Sequence, residues 1–199
     1  MFLDAERSAY SSNIITGNSI SGISLADGSS ENILIQNLIY NNANGFRGIV
    51  FENSAVNGGI EPPTIENYDD SESFIVSGTG TVGAIIEVFA DSLGEGRGFL
   101  GSAVVVDISG AGEWIFNVPS IFQDTLSSLS IQTLTAIQTI DNEGSVNTSE
   151  FSEPYIINPT LVRNVAPATQ TGYPIGSLGY AIDYANTNLN STITFHPCN

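Results

Sequence analysis

The chain has 199 residues, 41% of them hydrophobic, enough for one large or two small domains with an ordinary buried core. Its 21 acidic residues face only 4 basic ones, and a formal charge of −17 excludes the phosphate backbone of nucleic acid as a partner. All four basic residues are arginine, and there is one histidine, His196, and one cysteine, Cys198, so Schiff-base and P-loop chemistry, disulfide frameworks and cysteine metal clusters lose their raw material.

The opening Met1-Phe2-Leu3-Asp4 has neither the basic start nor the apolar stretch of a secretory signal, and no run of 18 apolar residues follows, so no membrane span is expected in this sequence. Residues 1–60 hold 9 of the 19 asparagines and carry short apolar runs broken by Gly, Asn and Ser, the pattern of brief strands between tight turns. Asn13-Ile14-Ile15-Thr16-Gly17-Asn18-Ser19-Ile20 aligns with Asn32-Ile33-Leu34-Ile35-Gln36-Asn37-Leu38-Ile39 at an offset of 19, and Gly22-Ile23-Ser24-Leu25 aligns with Gly48-Ile49-Val50-Phe51 at 26. Such spacing suits coils of a parallel solenoid, in which Asn18 is expected over Asn37 as a ladder of side-chain amides. Asparagine fits these corners because it tolerates left-handed backbone geometry and its amide both donates and accepts. Over residues 11–56 the pattern resembles the right-handed parallel β-helix repeats of the pectate-lyase-like and copper-periplasmic-factor-like families. A few meandering antiparallel strands are the competing reading.

Asn57-Gly58-Gly59-Ile60-Glu61-Pro62-Pro63 ends the asparagine periodicity and reads as a linker. Strands are then expected over 64–68, 73–79, 84–90, 98–107, 112–118, 130–140 and 150–157, seven in all, as in an immunoglobulin-like sandwich. Alternation places Ile86 and Val88 inward with Glu87 opposite, and Trp114, Phe116 and Val118 inward with Glu113 and Asn117 outside. Those five apolar residues are the expected core. In 130–140, Ile131, Thr133, Thr135 and Ile137 compete with Leu134, Ala136 and Ile140 for the inner face, and a bulge is one way to resolve the competition.

Gly83-Ala84-Ile85-Ile86-Glu87-Val88-Phe89-Ala90, Gly94-Glu95-Gly96-Arg97-Gly98-Phe99-Leu100-Gly101, Gly112-Glu113-Trp114-Ile115-Phe116 and Asn147-Thr148-Ser149-Glu150-Phe151-Ser152 follow in that order. The succession resembles the bacterial immunoglobulin-like module that follows β-helix repeats in large surface or secreted proteins, over about residues 62–157. The turn Asp141-Asn142-Glu143-Gly144-Ser145-Val146 is longer than that pattern has.

Beyond it, Leu161-Val162-Arg163-Asn164-Val165 reads as a strand, Gly176 to Asn186 as a short helix capped by Ser177, and Ser191-Thr192-Ile193-Thr194-Phe195 as a strand. Leu178, Ala181, Ile182 and Ala185 form one apolar stripe on that helix, able to cover an open hydrophobic end. Gly176-Ser177-Leu178-Gly179-Tyr180-Ala181-Ile182 is similar to the opening segment of another β-helix type, with Gly179 where that pattern has arginine. The chain is therefore expected to be a piece of a longer protein: an all-β chain with the C-terminal coils of a right-handed parallel β-helix over 1–60, an Ig-like β-sandwich over 61–158, and the strand and capping helix that start a further β-helix over 159–199.

Chemistry-bearing residues are sparse. Asp27, Glu31 and Arg47 are the only raw material for a calcium-assisted polysaccharide lyase, and Asp69 with Asp70, or Glu61 with Glu66, the pairs available for glycoside hydrolysis. Solvated turn acids and a surface arginine explain them better in so acidic a chain, and no catalytic residue is assigned. Asp69, Asp70 and Glu72, and Asp141, Asn142 and Glu143, are acidic loop clusters without the spacing of a dedicated calcium loop. Trp114 is the sole indole for stacking on a sugar, but its alternation with Phe116 points inward. No cofactor or metal is expected. The sequence reads as a non-catalytic structural or adhesive segment of a secreted or cell-surface bacterial protein, an Ig-like spacer between β-helical stalks, with surface glycans or other extracellular proteins as partners. A piece of a β-helical polysaccharide lyase or hydrolase whose active site lies outside this chain, and a carbohydrate-binding module, are the alternatives.

Overall fold

The structure is a computed structural model and describes residues 2–3, 9, 11–42, 48–70, 74–91, 94–127, 131, 133–157, 161–162 and 194–195. It is all-β. The N-terminal region carries β1 (Phe2–Leu3), β2 (Ile14–Thr16), β3 (Ile23–Leu25), β4 (Leu38–Tyr40) and β5 (Ile49–Phe51), followed by one 3-10 turn at Val56–Gly59. These short strands pair in parallel, in the order β1-β3-β5 in one sheet and β2-β4 in another. Ile23 lies beside Ile49 and Leu25 beside Phe51, the expected offset of 26.

The expected offset of 19 is corrected. Ile14 pairs with Leu38, a spacing of 24, and the amides stack as Asn13 on Asn37 and Asn18 on Asn42, with no bond between Asn18 and Asn37. The reason lies in the sequence itself: asparagines five residues apart occur at 13 and 18, at 32 and 37, and at 37 and 42, so two similar segments follow one another and the pair at 37 and 42, not that at 32 and 37, stacks on 13 and 18.

The middle region consists of β6 (Thr64–Asp69), β7 (Ile75–Thr79), β8 (Ile85–Asp91), β9 (Gly98–Val104), β10 (Val106–Ile108), β11 (Ala111–Asn117), β12 (Thr133–Asn142), β13 (Ser145–Thr148) and β14 (Tyr155–Ile156). All its pairings are antiparallel, in two sheets ordered β10-β11-β7-β6 and β13-β12-β8-β9, with β14 added to β12. The strand expected over 98–107 breaks at Val105, which is buried and exchanges backbone bonds with Gly83 and Ala84, so the chain crosses there from one sheet to the other. The strand expected over 150–157 is confined to β14, and β13 takes its place beside β12. An α-helix, α1 (Ser120–Ser127), follows Pro119 where no element was expected, with Phe122 packed on the core.

Between the two sheets lies one core of Val76, Ile86, Val88, Leu100, Trp114, Phe116, Val118, Leu134 and Ala136. All five expected core residues are in it. Burial of a large apolar side chain contributes about 1.5–3 kcal/mol, so this set is the main favourable term for the middle region. Glu87, expected on the face opposite Ile86 and Val88, is buried there, because the far side of the β8–β12 sheet is covered too. Phe89, Ile137 and Phe151 from that side share a second core with Ile23, Leu25, Leu34, Ile39, Ile49 and Val56 of the N-terminal strands. Covering on both faces also settles the competition in β12. Residues 133–138 are all buried, Leu134 and Ala136 in the first core and Ile137 in the second, and the register of β12 with β8 is unbroken. The register shift falls instead between β8 and β9, next to Gly101, whose φ is +148°.

The segment expected to be a linker, Asn57 to Pro63, is held at its two ends, where Asn57 and Pro63 are buried next to the buried Val56. Farther on, β15 (Leu161–Val162) and β16 (Thr194–Phe195) pair in parallel. The helix expected from Gly176 to Asn186, with Ser177 and Gly179, lies outside the described residues, as do His196 and Cys198.

Candidate functional site

The residues singled out for chemistry do not converge. Asp27 is exposed; its N–H donates to Glu52 Oε2 at 2.7 Å and its Oδ1 accepts from Asn53 Nδ2 at 2.9 Å. Glu31 occupies a corner with φ +56° and its N–H donates to Asn147. Arg47 and Glu72 lie outside the described residues. Glu66 is exposed beside Thr79, while Glu61 lines a groove of ≈ 460 Å³ with Pro62, Thr64, Glu153 and Tyr155, so these two acids do not face one another across it. Asp69 ends β6, and the charge of Asp70 adds to burial in pushing the Tyr68 hydroxyl up to about 12. Asp141, Asn142 and Glu143 belong to the β12–β13 hairpin. Asn142 pairs with Ser145, Glu143 and Gly144 both have positive φ, and Asp141 Oδ1 accepts from the Gly144 N–H, so the cluster closes a two-residue turn. Among the described residues no three His, Cys, Asp or Glu side chains come together as a metal site, and no helix is long and apolar enough to cross a membrane. Trp114 is 1% exposed with its Nε1 donating to the Thr79 carbonyl, which removes it as a sugar platform.

Buried polar groups concentrate at the joint between the N-terminal strands and the β8–β12 sheet. Glu87 Oε2 accepts from the Gln36 N–H at 2.8 Å, Glu95 Oε2 from the Asn42 N–H at 3.2 Å, Glu150 Oε1 from the Phe51 N–H at 2.8 Å and Asn147 Oδ1 from the Glu31 N–H at 2.8 Å. Thr148 Oγ1 accepts from Leu34, and its own N–H donates to the Asn32 carbonyl. Ile39 and Gly96 exchange two backbone bonds as an isolated antiparallel bridge. Gly96 suits the place because a Cβ there would stand 2.5 Å from Phe151 Cζ. Asn57, also buried, binds in three directions: its Oδ1 accepts from the Asn32 N–H, and its Nδ2 donates to the carbonyls of Asn32 and Thr148.

These positions set the electrostatics. Burial raises the Glu87 carboxyl above its ordinary value, against the opposing bond from Gln36. Burial likewise raises Glu95; the hydrogen bonds from Asn42 oppose the rise and the Asp91 carboxylate adds to it. Asp91 Oδ2 accepts from the Glu95 N–H, and Glu95 Oε1 is buried with no hydrogen-bond partner. A neutral carboxyl costs far less to bury there than a carboxylate. This arrangement binds backbone; it holds no nucleophile beside a base.

Of the joint residues only Glu31 was singled out in the sequence; Glu87, Glu95, Asn147 and Glu150 were not. The signal was present: Ile86-Glu87-Val88-Phe89-Ala90 is apolar at both alternations, as in a strand covered on both faces, and an acid inside such a run must find a buried partner.

No family model and no curated protein matches the chain. Among solved structures it is similar to one described as a biofilm associated protein, BSP domain, at 18% identity and a TM-score of 0.31. The likeness covers 58% of this chain and 16% of that one.

Proposed function

We propose that the chain is a non-catalytic structural and adhesive segment of a secreted or cell-surface bacterial protein, in which an Ig-like sandwich is a spacer between β-helical stalks. The N-terminal parallel rows are the last coils of one stalk, and the parallel pair of β15 and β16 belongs to the start of the next. Parallel pairs at spacings of 24 and 26 and amide stacks at 24 and 25 support the coil reading. The observation that carries the spacer reading is the shared second core. Phe89, Ile137 and Phe151 of the middle region pack with Ile23, Leu25 and Ile49 of the rows, and a joint built this way transmits force and orientation instead of swinging on a linker. The strong negative charge keeps such an extended repeat protein from associating with its own copies. Surface glycans or other extracellular proteins are its partners.

The test is made on the parent protein in its own cells. Antibody raised against this chain is expected to label intact cells, and the purified parent is expected to leave pectate and alginate uncleaved, with or without calcium, as followed by the absorbance of newly formed double bonds. Cleavage that is lost when residues of this chain are substituted overturns the reading, and so does a parent that antibody reaches only after lysis.

A further inference from the structure

We propose that the sandwich face bearing Glu87, Glu95, Gly96 and Asn147 is a cap: a docking surface that accepts the corner N–H groups of this chain's asparagine-laddered rows in the place where the side-chain oxygens of a next coil would stand. The inference rests on the coil reading proposed above.

Within the rows the ladder has a direction. The Asn13 N–H donates to Asn37 Oδ1 at 3.2 Å, the Asn18 N–H to Asn42 Oδ1 at 3.1 Å and the Asn32 N–H to Asn57 Oδ1 at 2.6 Å. In these three columns a backbone N–H of one coil meets a side-chain oxygen of the next, while Asn42 Nδ2 and Asn57 Nδ2 donate back to the carbonyls of Ile15 and Asn32. At the last coil the donors meet the sandwich. The column that runs from Asn18 to Asn42 continues from the Asn42 N–H to Glu95 Oε2, a glutamate in the place of an asparagine. Gln36 and Glu31, both corner residues with positive φ, are met in the same way by Glu87 and Asn147. The open edge of β4 is closed by the bridge from Ile39 to Gly96, so no row of backbone groups is left there to recruit another strand.

Amide hydrogen exchange on the whole chain, followed by NMR, tests this with three proteins: wild type, Glu95→Gln and Glu95→Met. Glutamine keeps an acceptor oxygen, whereas methionine keeps the length and loses it. The Asn42 amide is expected to be as protected in wild type as the Asn18 and Asn32 amides inside the ladder, and to stay so in Glu95→Gln. In Glu95→Met its exchange is expected to quicken on the order of tenfold or more, with Asn18 and Asn32 unchanged. An unprotected Asn42 amide in wild type beside protected Asn18 and Asn32, or equal effects of Gln and Met, overturns the cap while leaving the coils standing. Loss of protection at Asn18 and Asn32 in wild type overturns the coil reading and the cap with it. The wild-type comparison decides even where Glu95→Met fails to fold.

Discussion

A glutamate with its carboxyl buried at a joint makes stability depend on pH with a definite sign. Glu87 has its carboxyl raised above its ordinary 4.5 by desolvation, so the folded chain holds that proton at pH values where the unfolded chain has released it. Its contribution is complete below the unfolded pKa and is lost as pH rises through the folded one. The joint is therefore tighter in acid. Glu87→Gln keeps an acceptor for the Gln36 N–H and cannot ionise. Denaturant unfolding at pH 4 and at pH 8 is expected to show wild type losing more stability across that interval than the variant, because both share the remaining acidic charge and only wild type titrates at 87. Equal losses would mean that the Glu87 carboxylate is hydrated in the folded protein. At this scale Ile86, Val88, Trp114, Phe116 and Val118 were legible, since alternation reports which residues share a face. The environment of Glu87 was not, because alternation does not say whether the second face meets water or another layer.

Among the elements, the asparagine rows show what a periodic sequence can and cannot fix. Composition and turn residues announce stacked parallel strands, but three similar asparagine pairs leave the partner of each open, and register was settled only by which pairing lets Ile23, Leu25, Leu34, Ile39 and Ile49 share one core. Asn57 carries the cost of an error most visibly. It adopts φ 54° and ψ 44°, a region asparagine tolerates, and all three of its side-chain bonds are buried. Asn57→Asp preserves shape and backbone preference but replaces two N–H donors with oxygen facing the carbonyls of Asn32 and Thr148. It is expected to cost about 2–4 kcal/mol, read as a shift in the denaturant midpoint at pH 7. A shift under about half of that would show that water or a proton replaces the lost donors. Helix α1, in the gap between the strands expected over 112–118 and 130–140, was not legible for a related reason: eight residues leave too short a stretch for helical periodicity.

In the whole molecule the decisive feature is that a Gly- and Pro-rich stretch does not separate two bodies. Local composition marks Asn57 to Pro63 as a linker, and a tight turn and a flexible tether have the same composition; burial of Asn57 and Pro63 at its two ends distinguishes them, and that depends on residues far away in the chain. Thr148, 91 residues from Asn57, and Phe151, packed edge-on to Phe89 at 5.4 Å, belong to the same junction. Because the second core draws side chains from both regions, neither region can open without exposing apolar surface of the other. One cooperative transition is therefore expected for residues 11–157, with tryptophan fluorescence, which reports Trp114 in the sandwich, and exchange of the Asn18 and Asn32 amides in the rows giving the same midpoint. Phe151→Ala, which empties the contact between them, is expected to lower stability by about 3–5 kcal/mol and to move both probes together. Were the rows to melt first while Trp114 stayed native, the region of the joint would be a hinge, and a spacer that holds its two stalks at a fixed angle could not be built from it.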